Sequence, residues 1–219
     1  TTAVSGLSVI GRDYYGIFPL RGKLLNTREA TFAQISKNEE ICNIKKILGL
    51  QNGNESVKSL RYGKILIMTD ADYDGFHIKA LIINFIDSGW SNLLKGLFIG
   101  SILTPVVKVS RNNEKLSFYT MKEYELWKKN KNENWHIKYY KGLGTSTAQE
   151  AKEYFKNLKV LNYSIKSVDD SNALELAFKK SESDQRKDWI REFTSKFEGL
   201  DYLSKEVVPI KNLINKELV

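Results

Sequence analysis

The stretch Ile65-Leu-Ile-Met-Thr69-Asp70-Ala-Asp72-Tyr-Asp74-Gly75-Phe76-His77-Ile-Lys79 decides how the chain is read. Ile65 to Met68 is an apolar run, which reads as a buried strand. Carboxylates follow at Asp70, Asp72 and Asp74, then a glycine, then a long segment with apolar residues three and four apart. A strand delivers its C-terminal residues to the edge of a sheet, where open α/β proteins bind their ligands. Carboxylates crowded this closely repel one another unless a cation lies among them. An all-oxygen donor set selects a hard ion, and Mg²⁺ is the first choice.

Other readings of the cluster are open at this level. Asp70, Asp72, Asp74 and Gly75 fit the first half of a calcium loop of the EF-hand type. The second half fails, because Leu81 stands where a bidentate glutamate is needed, and a strand-like run precedes the cluster instead of a helix. A phosphatase-type aspartate nucleophile after a strand fits the local pattern. So does a solvated acidic turn, although the third aspartate, the strand before and the helix after weigh against it.

The chain has 219 residues, enough for one large domain or a domain with an extension. Hydrophobic residues make up 42%, so a core is available and disorder is not the default. The net charge is +8 and the isoelectric point about 9.3. A basic chain that carries an acidic cluster suggests a polyanionic substrate held around a cation; a lysine-rich solvated surface is the plainer account. Cys42 is the single cysteine, which excludes an internal disulfide and a cysteine-built zinc site and favours an intracellular setting. No stretch reads as a membrane span or a signal peptide. The chain opens on Thr1 within a small-residue segment, which reads as a piece of something longer.

In chain order, Thr1 to Ile10 reads as a short helix and Tyr14 to Leu20 as a strand stopped by Pro19. In Arg21-Gly22-Lys23-Leu24-Leu25-Asn26, two cations flank a glycine that lets backbone approach a ligand, which suits phosphate contact or an ordinary basic turn. Thr27 to Leu50 has helical spacing, ended by Gly49 and Gln51 to Asn54. His77 to Leu97 is an amphipathic helix with a break expected near Ser88-Gly89. His77 and Lys79 in its first turns are placed to touch an anion. Ile102 to Ser110 and Leu116 to Thr120 form a hairpin across Arg111 to Glu114. A helix from Met121 to Asn130, an exposed loop from Lys129 to Trp135 and a strand from His136 to Tyr140 follow. Lys141-Gly142-Leu143-Gly144-Thr145-Ser146 then leads into a helix from Ala148 to Leu158, capped by Thr145 or Ser146. That layout suits phosphate binding or a plain strand-to-helix connection. Beyond Lys159, Ser164 to Ser171 is polar, Ala173 to Phe178 a short helix, Lys179 to Arg191 dense in charge, and Val207 to Val219 amphipathic. Strands alternating with helices from residue 14 to 158 argue an α/β domain with a mainly parallel sheet.

On these residues the chain resembles the type IIA DNA topoisomerases, in their eukaryotic topoisomerase II branch. The resemblance is carried by residues 5–30 (SGLSVIGRDYYGIFPLRGKLLNTREA), 65–85 (ILIMTDADYDGFHIKALIINF), 118–128 (FYTMKEYELWK) and 139–155 (YYKGLGTSTAQEAKEYF). Residues 179–190 (KKSESDQRKDWI) and 214–218 (INKEL) fit as well. It implies a Toprim fold: a mainly parallel central sheet flanked by helices, over residues 1–158. Residues 159–219 would be a C-terminal helical extension leading toward a winged-helix domain. It also implies Mg²⁺ as cofactor, one or two ions, held by Asp70 and Asp72 with Asp74 as the less direct third acid. Arg21, Lys23 and Asn26 would lie along DNA, and His77 and Lys141 near it. The family cleaves both strands of a duplex through a transient phosphotyrosyl bond, passes a second duplex and religates, using ATP bound in another domain. It works on double-stranded DNA as a homodimer, in the nucleus.

The chain departs from the family's pattern in instructive ways. The Toprim glutamate, within an EGDSA motif, belongs before the segment that opens here, and the catalytic tyrosine after INKEL. No catalytic residue of the family is therefore expected within these residues, and the piece alone is expected to be inactive. Phe76 stands where a small residue is usual and Ala80 where glycine is usual. A Toprim domain of a primase or nuclease, or a non-catalytic metal-bound interaction domain, is the alternative; the KGLGTST and PLRGK segments argue against the first.

Overall fold

The computed structural model describes residues 2–53, 56–129, 134–193 and 206–218. Residues 130–133 of the expected Lys129–Trp135 loop, and Thr1, Asn54 and Val219 at the ends of other expected segments, lie outside the described residues. The chain forms two compact units, one from Thr1–Ile17, Met68–Asp72 and Ile102–Val160, the other from Phe18–Ile67, Tyr73–Ser101 and Leu161–Val219.

The second unit holds the sheet that the Ile65 run announces. Strands β1 (Ile65–Ile67), β2 (Ile99–Ile102), β6 (Val160–Ser164) and β7 (Val207–Pro209) lie in the order β1-β2-β6-β7. β1 pairs parallel with β2, Ile65 opposite Ile99, and β6 pairs parallel with β7, Asn162 opposite Val207. The helix after the aspartates, α4 (Tyr73–Leu94), buries Leu81, Ile83, Phe85, Ile86, Leu93 and Leu94, the apolar stripe its spacing predicts. Its break falls at Trp90, whose φ of −147° and ψ of 48° leave the helical region. The Trp90 indole N–H donates to the Gln51 carbonyl at 2.7 Å, so the buried ring has its nitrogen satisfied at the kink.

The predicted single helix from Thr27 to Leu50 is two: α2 (Phe32–Lys37) and α3 (Glu39–Leu48). Asn38 ends one and starts the next, its side-chain oxygen accepting from Ile41 N at 3.0 Å. One non-helical residue barely disturbs the apolar spacing, so the pattern does not betray the break. The Tyr14–Leu20 strand does not form: residues 14–20 run without regular secondary structure, and Tyr14 is 85% exposed. Alternation alone makes no strand without a partner to pair with.

Residues after 158, expected as an extension of helices, supply two strands to the sheet. In β6, Leu161 and Tyr163 are 1% and 0% exposed while Asn162 between them is less buried, the period-two signature of a strand. Pro209 closes the edge strand β7, where a missing N–H is tolerated. Helix α7 (Val168–Phe178) starts earlier than the predicted Ala173, because the polar lead-in is its cap. Asp170, fully buried, accepts from Lys166 N at 2.9 Å and Ser167 N at 3.0 Å, and from Lys211 N in the first turn of α9 (Ile210–Glu217) at 2.8 Å. Helix α8 (Ser183–Phe193) carries the charge-dense run.

In the first unit, β3 (Val107–Arg111), β4 (Glu114–Phe118) and β5 (His136–Tyr139) form an antiparallel sheet in the order β4-β3-β5. The predicted strand from Ile102 to Ser110 is interrupted: β2 ends at Ile102 and β3 begins at Val107, with Pro105 between. The hairpin turns at Asn112-Asn113, Asn112 taking a φ of 52° as asparagine does in such turns. Helix α5 (Met121–Lys129) closes a small core of Val107, Val109, Phe118 and Tyr124. Helix α1 (Thr2–Ile10) packs along α6 (Ala148–Lys156), with Gly6 so close to the Phe155 ring that a Cβ would collide with it. Among the described residues no helix is long and apolar enough to cross a membrane.

Candidate metal centre and nucleic-acid interface

Asp70 is half-buried, and its carboxylate lies against the backbone of the Lys141–Ser146 turn. Leu143 N–H donates to Asp70 Oδ1 at 2.6 Å. Gly142 makes that approach possible: a Cβ there would stand 2.6 Å from Oδ2, 2.7 Å from Cγ and 2.8 Å from Oδ1. The glycine is needed for room, since its φ of 178° is open to any residue. Two segments that the sequence could only name separately, the aspartate run and KGLGTST, thus meet in one contact. The turn continues as a 3-10 helix, Leu143–Thr145, and Thr147 caps α6. The predicted cap, Thr145 or Ser146, is off by a residue or two because the 3-10 turn uses those positions. Lys141 is exposed beside the contact.

Asp72 is exposed in the same unit. Asp70 and Asp72 offer only oxygen donors, and Asp70 keeps lone pairs beyond the one taken by Leu143. Those residues fit a hard cation completed by water and by donors from elsewhere. Among the described residues no three His, Cys, Asp or Glu side chains gather as a group that could hold a metal ion. The Thr69 hydroxyl, next in the chain, is buried without a hydrogen-bond partner.

The second unit holds Asp74, Lys23, His77 and Asn26. Lys23 Nζ lies 2.8 Å from Asp74 Oδ1, both side chains largely in solvent. That hydrogen bond and charge hold the Asp74 carboxyl below its ordinary pKa. His77 is half-buried, its ring stacked near Phe178 at 6.2 Å between centroids. Burial lowers the His77 pKa, Lys23 lowers it further, and Asp74 opposes both, so the neutral ring is favoured. These residues border a groove of about 470 Å³ that also meets Arg186 and Trp189. Arg21 is exposed.

Asn26 is bound into the protein. Its amide donates to the Phe178 carbonyl at 2.7 Å, and its oxygen accepts from Asn84 at 3.0 Å and from Arg28 N at 3.2 Å. Arg28 extends the cluster, reaching Asn84 at 2.9 Å, Asp87 at 2.5 Å and Glu175 at 3.5 Å. The network anchors the residues just after Lys23 to α4 and α7. Nothing in the local sequence marks it, since its members are 152 residues apart at the extreme. Lys79, predicted to face an anion, is instead 5% exposed, its ammonium 5.0 Å from the Phe76 ring centroid. Burial lowers its pKa to about 8, against the opposing pull of Glu217.

Comparison with known proteins adds the family. A model of the C-terminal associated domain of Toprim matches residues 102–219, and a Toprim domain model matches residues 2–102. The whole chain is 49% identical to DNA topoisomerase 2-alpha of Rattus norvegicus. The chain belongs to the type II DNA topoisomerases, as their Toprim region. It covers 16% of that rat topoisomerase, so it spans about a sixth of the length of such relatives. DNA topoisomerase 2-beta of Gallus gallus is 54% identical over 87% of the chain, covering 12% of the relative. Among solved structures, the topoisomerase II DNA-binding, cleavage and re-ligation domain of Plasmodium falciparum superposes with a TM-score of 0.93 at 44% identity. That match covers 99% of this chain and 30% of the other. The α/β Toprim fold with a mostly parallel sheet therefore stands. The junction of the two family models at residue 102 coincides with the end of β2.

Proposed function

We propose that the chain is the cation-holding part of an ATP-dependent topoisomerase that cleaves and rejoins double-stranded DNA. The observation that carries this is the clamp of Leu143 N–H and Gly142 on Asp70, which orients a carboxylate at the end of a strand. Asp70 and Asp72 hold Mg²⁺ in this reading; Asp74, the third acid that the resemblance implies, is paired with Lys23. When bound, Mg²⁺ supplies electrostatic stabilisation of the charge that builds on phosphoryl and leaving oxygens. Arg21, Lys23, His77 and Lys141 lie along the DNA backbone, neutralising phosphates without reading sequence. Asn26 contributes by fixing the loop that carries Arg21 and Lys23. In the parent protein ATP is bound in another domain, the active form is a homodimer, and the site of action is the nucleus.

The family's EGDSA glutamate motif does not occur in these residues. In this reading the nucleophilic tyrosine also comes from another part of the parent, so the chain alone neither cleaves nor relaxes DNA. Strand cleavage by the purified chain would overturn that. Calorimetric titration of Mg²⁺ onto the chain and onto an Asp70→Asn/Asp72→Asn variant tests the metal assignment. Weaker binding by the variant is expected; equal binding removes the assignment.

A further inference from the structure

The turn that clamps Asp70 is short. Within it, Thr145 N donates to Gly142 O at 3.1 Å, Ser146 N to Leu143 O at 3.3 Å, and the Thr145 hydroxyl to Gly142 O at 2.7 Å. Both of its ends converge on one side chain. Before the turn, Lys138 Nζ reaches the two Glu150 oxygens at 2.8 and 2.9 Å, and the Tyr140 hydroxyl donates to Oε1. After the turn, Thr147 N donates to Glu150 Oε2 at 2.8 Å. Lys138 and Tyr140 lie two residues apart on an extended backbone, so they present to the same side and share the carboxylate. Lys138 also lies over the Tyr140 ring at 4.8 Å, which holds the two heads together.

A capping box needs only the Thr147–Glu150 exchange. The bonds from Lys138 and Tyr140 go beyond helix capping. They bring the strand side of the turn to the same point as its helix side, closing residues 141–146 into a fixed loop. A loop pinned at both ends keeps its backbone amides in one place, as a ligand-orienting group must be kept to within about half an ångström.

We propose that Glu150 is a positioning residue for the cation centre: it sets the Lys141–Ser146 turn so that Leu143 N–H meets Asp70 Oδ1. This rests on the reading of Asp70 as a metal ligand. Glu150 itself touches neither metal nor substrate; it acts through the turn.

The test uses the whole chain and two readouts, hydrogen exchange at the Leu143 amide without metal and Mg²⁺ titration by calorimetry. Glu150→Ala is expected to speed Leu143 exchange and to weaken Mg²⁺ binding by roughly 10-fold, the usual effect of losing an outer-shell partner. Glu150→Gln keeps one acceptor oxygen but loses the second and the charge that holds Lys138, so it should fall between wild type and Glu150→Ala. Ala151→Gly loosens α6 without touching the carboxylate, and should leave Leu143 exchange unchanged once corrected for global stability. If Ala151→Gly and Glu150→Ala affect Leu143 alike, or neither does, Glu150 has no positioning role. Should Glu150→Ala not fold, Tyr140→Phe removes one tether and is read the same way. Asp70→Asn separates the two ideas. Unchanged Mg²⁺ binding there ends the metal reading, and Leu143 exchange in Glu150→Ala still decides the tether.

Discussion

Replacing Gly142 with alanine should damage the Asp70 site while leaving the fold intact. The new Cβ would stand 2.6 Å from Asp70 Oδ2 and 2.8 Å from Oδ1, well inside van der Waals contact. Backbone strain plays no part, because the φ of 178° suits alanine. The carboxylate must therefore swing away, and it loses the 2.6 Å bond from Leu143 N–H. A hydrogen bond to a charged group is worth about 1.5–3 kcal/mol net. If Mg²⁺ binding requires the clamped rotamer, that loss converts to roughly 10- to 150-fold weaker binding. The assay is calorimetric titration of Mg²⁺ with urea unfolding alongside. Gly144→Ala is the control: nothing lies within 4 Å of a Cβ at Gly144, so it should bind as wild type. Equal Mg²⁺ affinity in the two variants would refute the argument that the close approach at Gly142 orients Asp70.

Other outcomes follow from the same structure. Burial pushes the Glu150 carboxyl up, but Lys138, Tyr140 and the Thr147 amide outweigh it and hold the pKa at about 2. A folded pKa below the unfolded value stabilises the chain above the unfolded pKa and is lost as pH falls toward 2. Urea unfolding between pH 5 and pH 2.5 should thus show an acid loss on the order of 1–2 kcal/mol after solvent screening, flattened in Glu150→Gln. Lys79 is penalised by burial: its folded pKa of about 8 lies below the ordinary 10.5, so the unfolded chain binds more protons between those values. Stability should rise from pH 8 toward pH 9.5, on the order of 1–2 kcal/mol over that range, and Lys79→Met should abolish the rise. In the parent enzyme, Lys23→Ala should reduce the salt slope of DNA binding by about 1, as the loss of one phosphate contact does. Asn26→Ala should lower the unfolding midpoint and leave that slope unchanged, because its polar atoms are bound within the protein.

The β1–turn–α4 unit is legible because its signals are local. An apolar run, an acidic turn and a 3.6-residue period each occupy consecutive positions. The hairpin is legible for the same reason, through Asn112-Asn113. What the chain order hides is pairing at a distance. β6 is short and mixes Asn162 and Ser164 with Leu161 and Tyr163, so its strand character comes from the partners on either side in the sheet. Tyr14 to Leu20 carries better β-forming residues and forms no strand, because nothing pairs with it. Propensity there is outweighed by tertiary context in both directions.

The site shows the same division in sharper form. Residue type points to Asp70, but cannot say which group orients it, and the orienting group is a backbone amide with no side-chain signature. Only the glycine before it leaves a trace, and glycine-turn-capped helix has several uses. One observation bears on the choice: the Leu143 amide already donates to Asp70. A turn that donates to a carboxylate in this way acts on a phosphate indirectly, by aiming the acid that would hold a cation. If Asp70 holds a cation as proposed, the KGLGTST segment belongs with that centre and is not an anion-binding loop of its own.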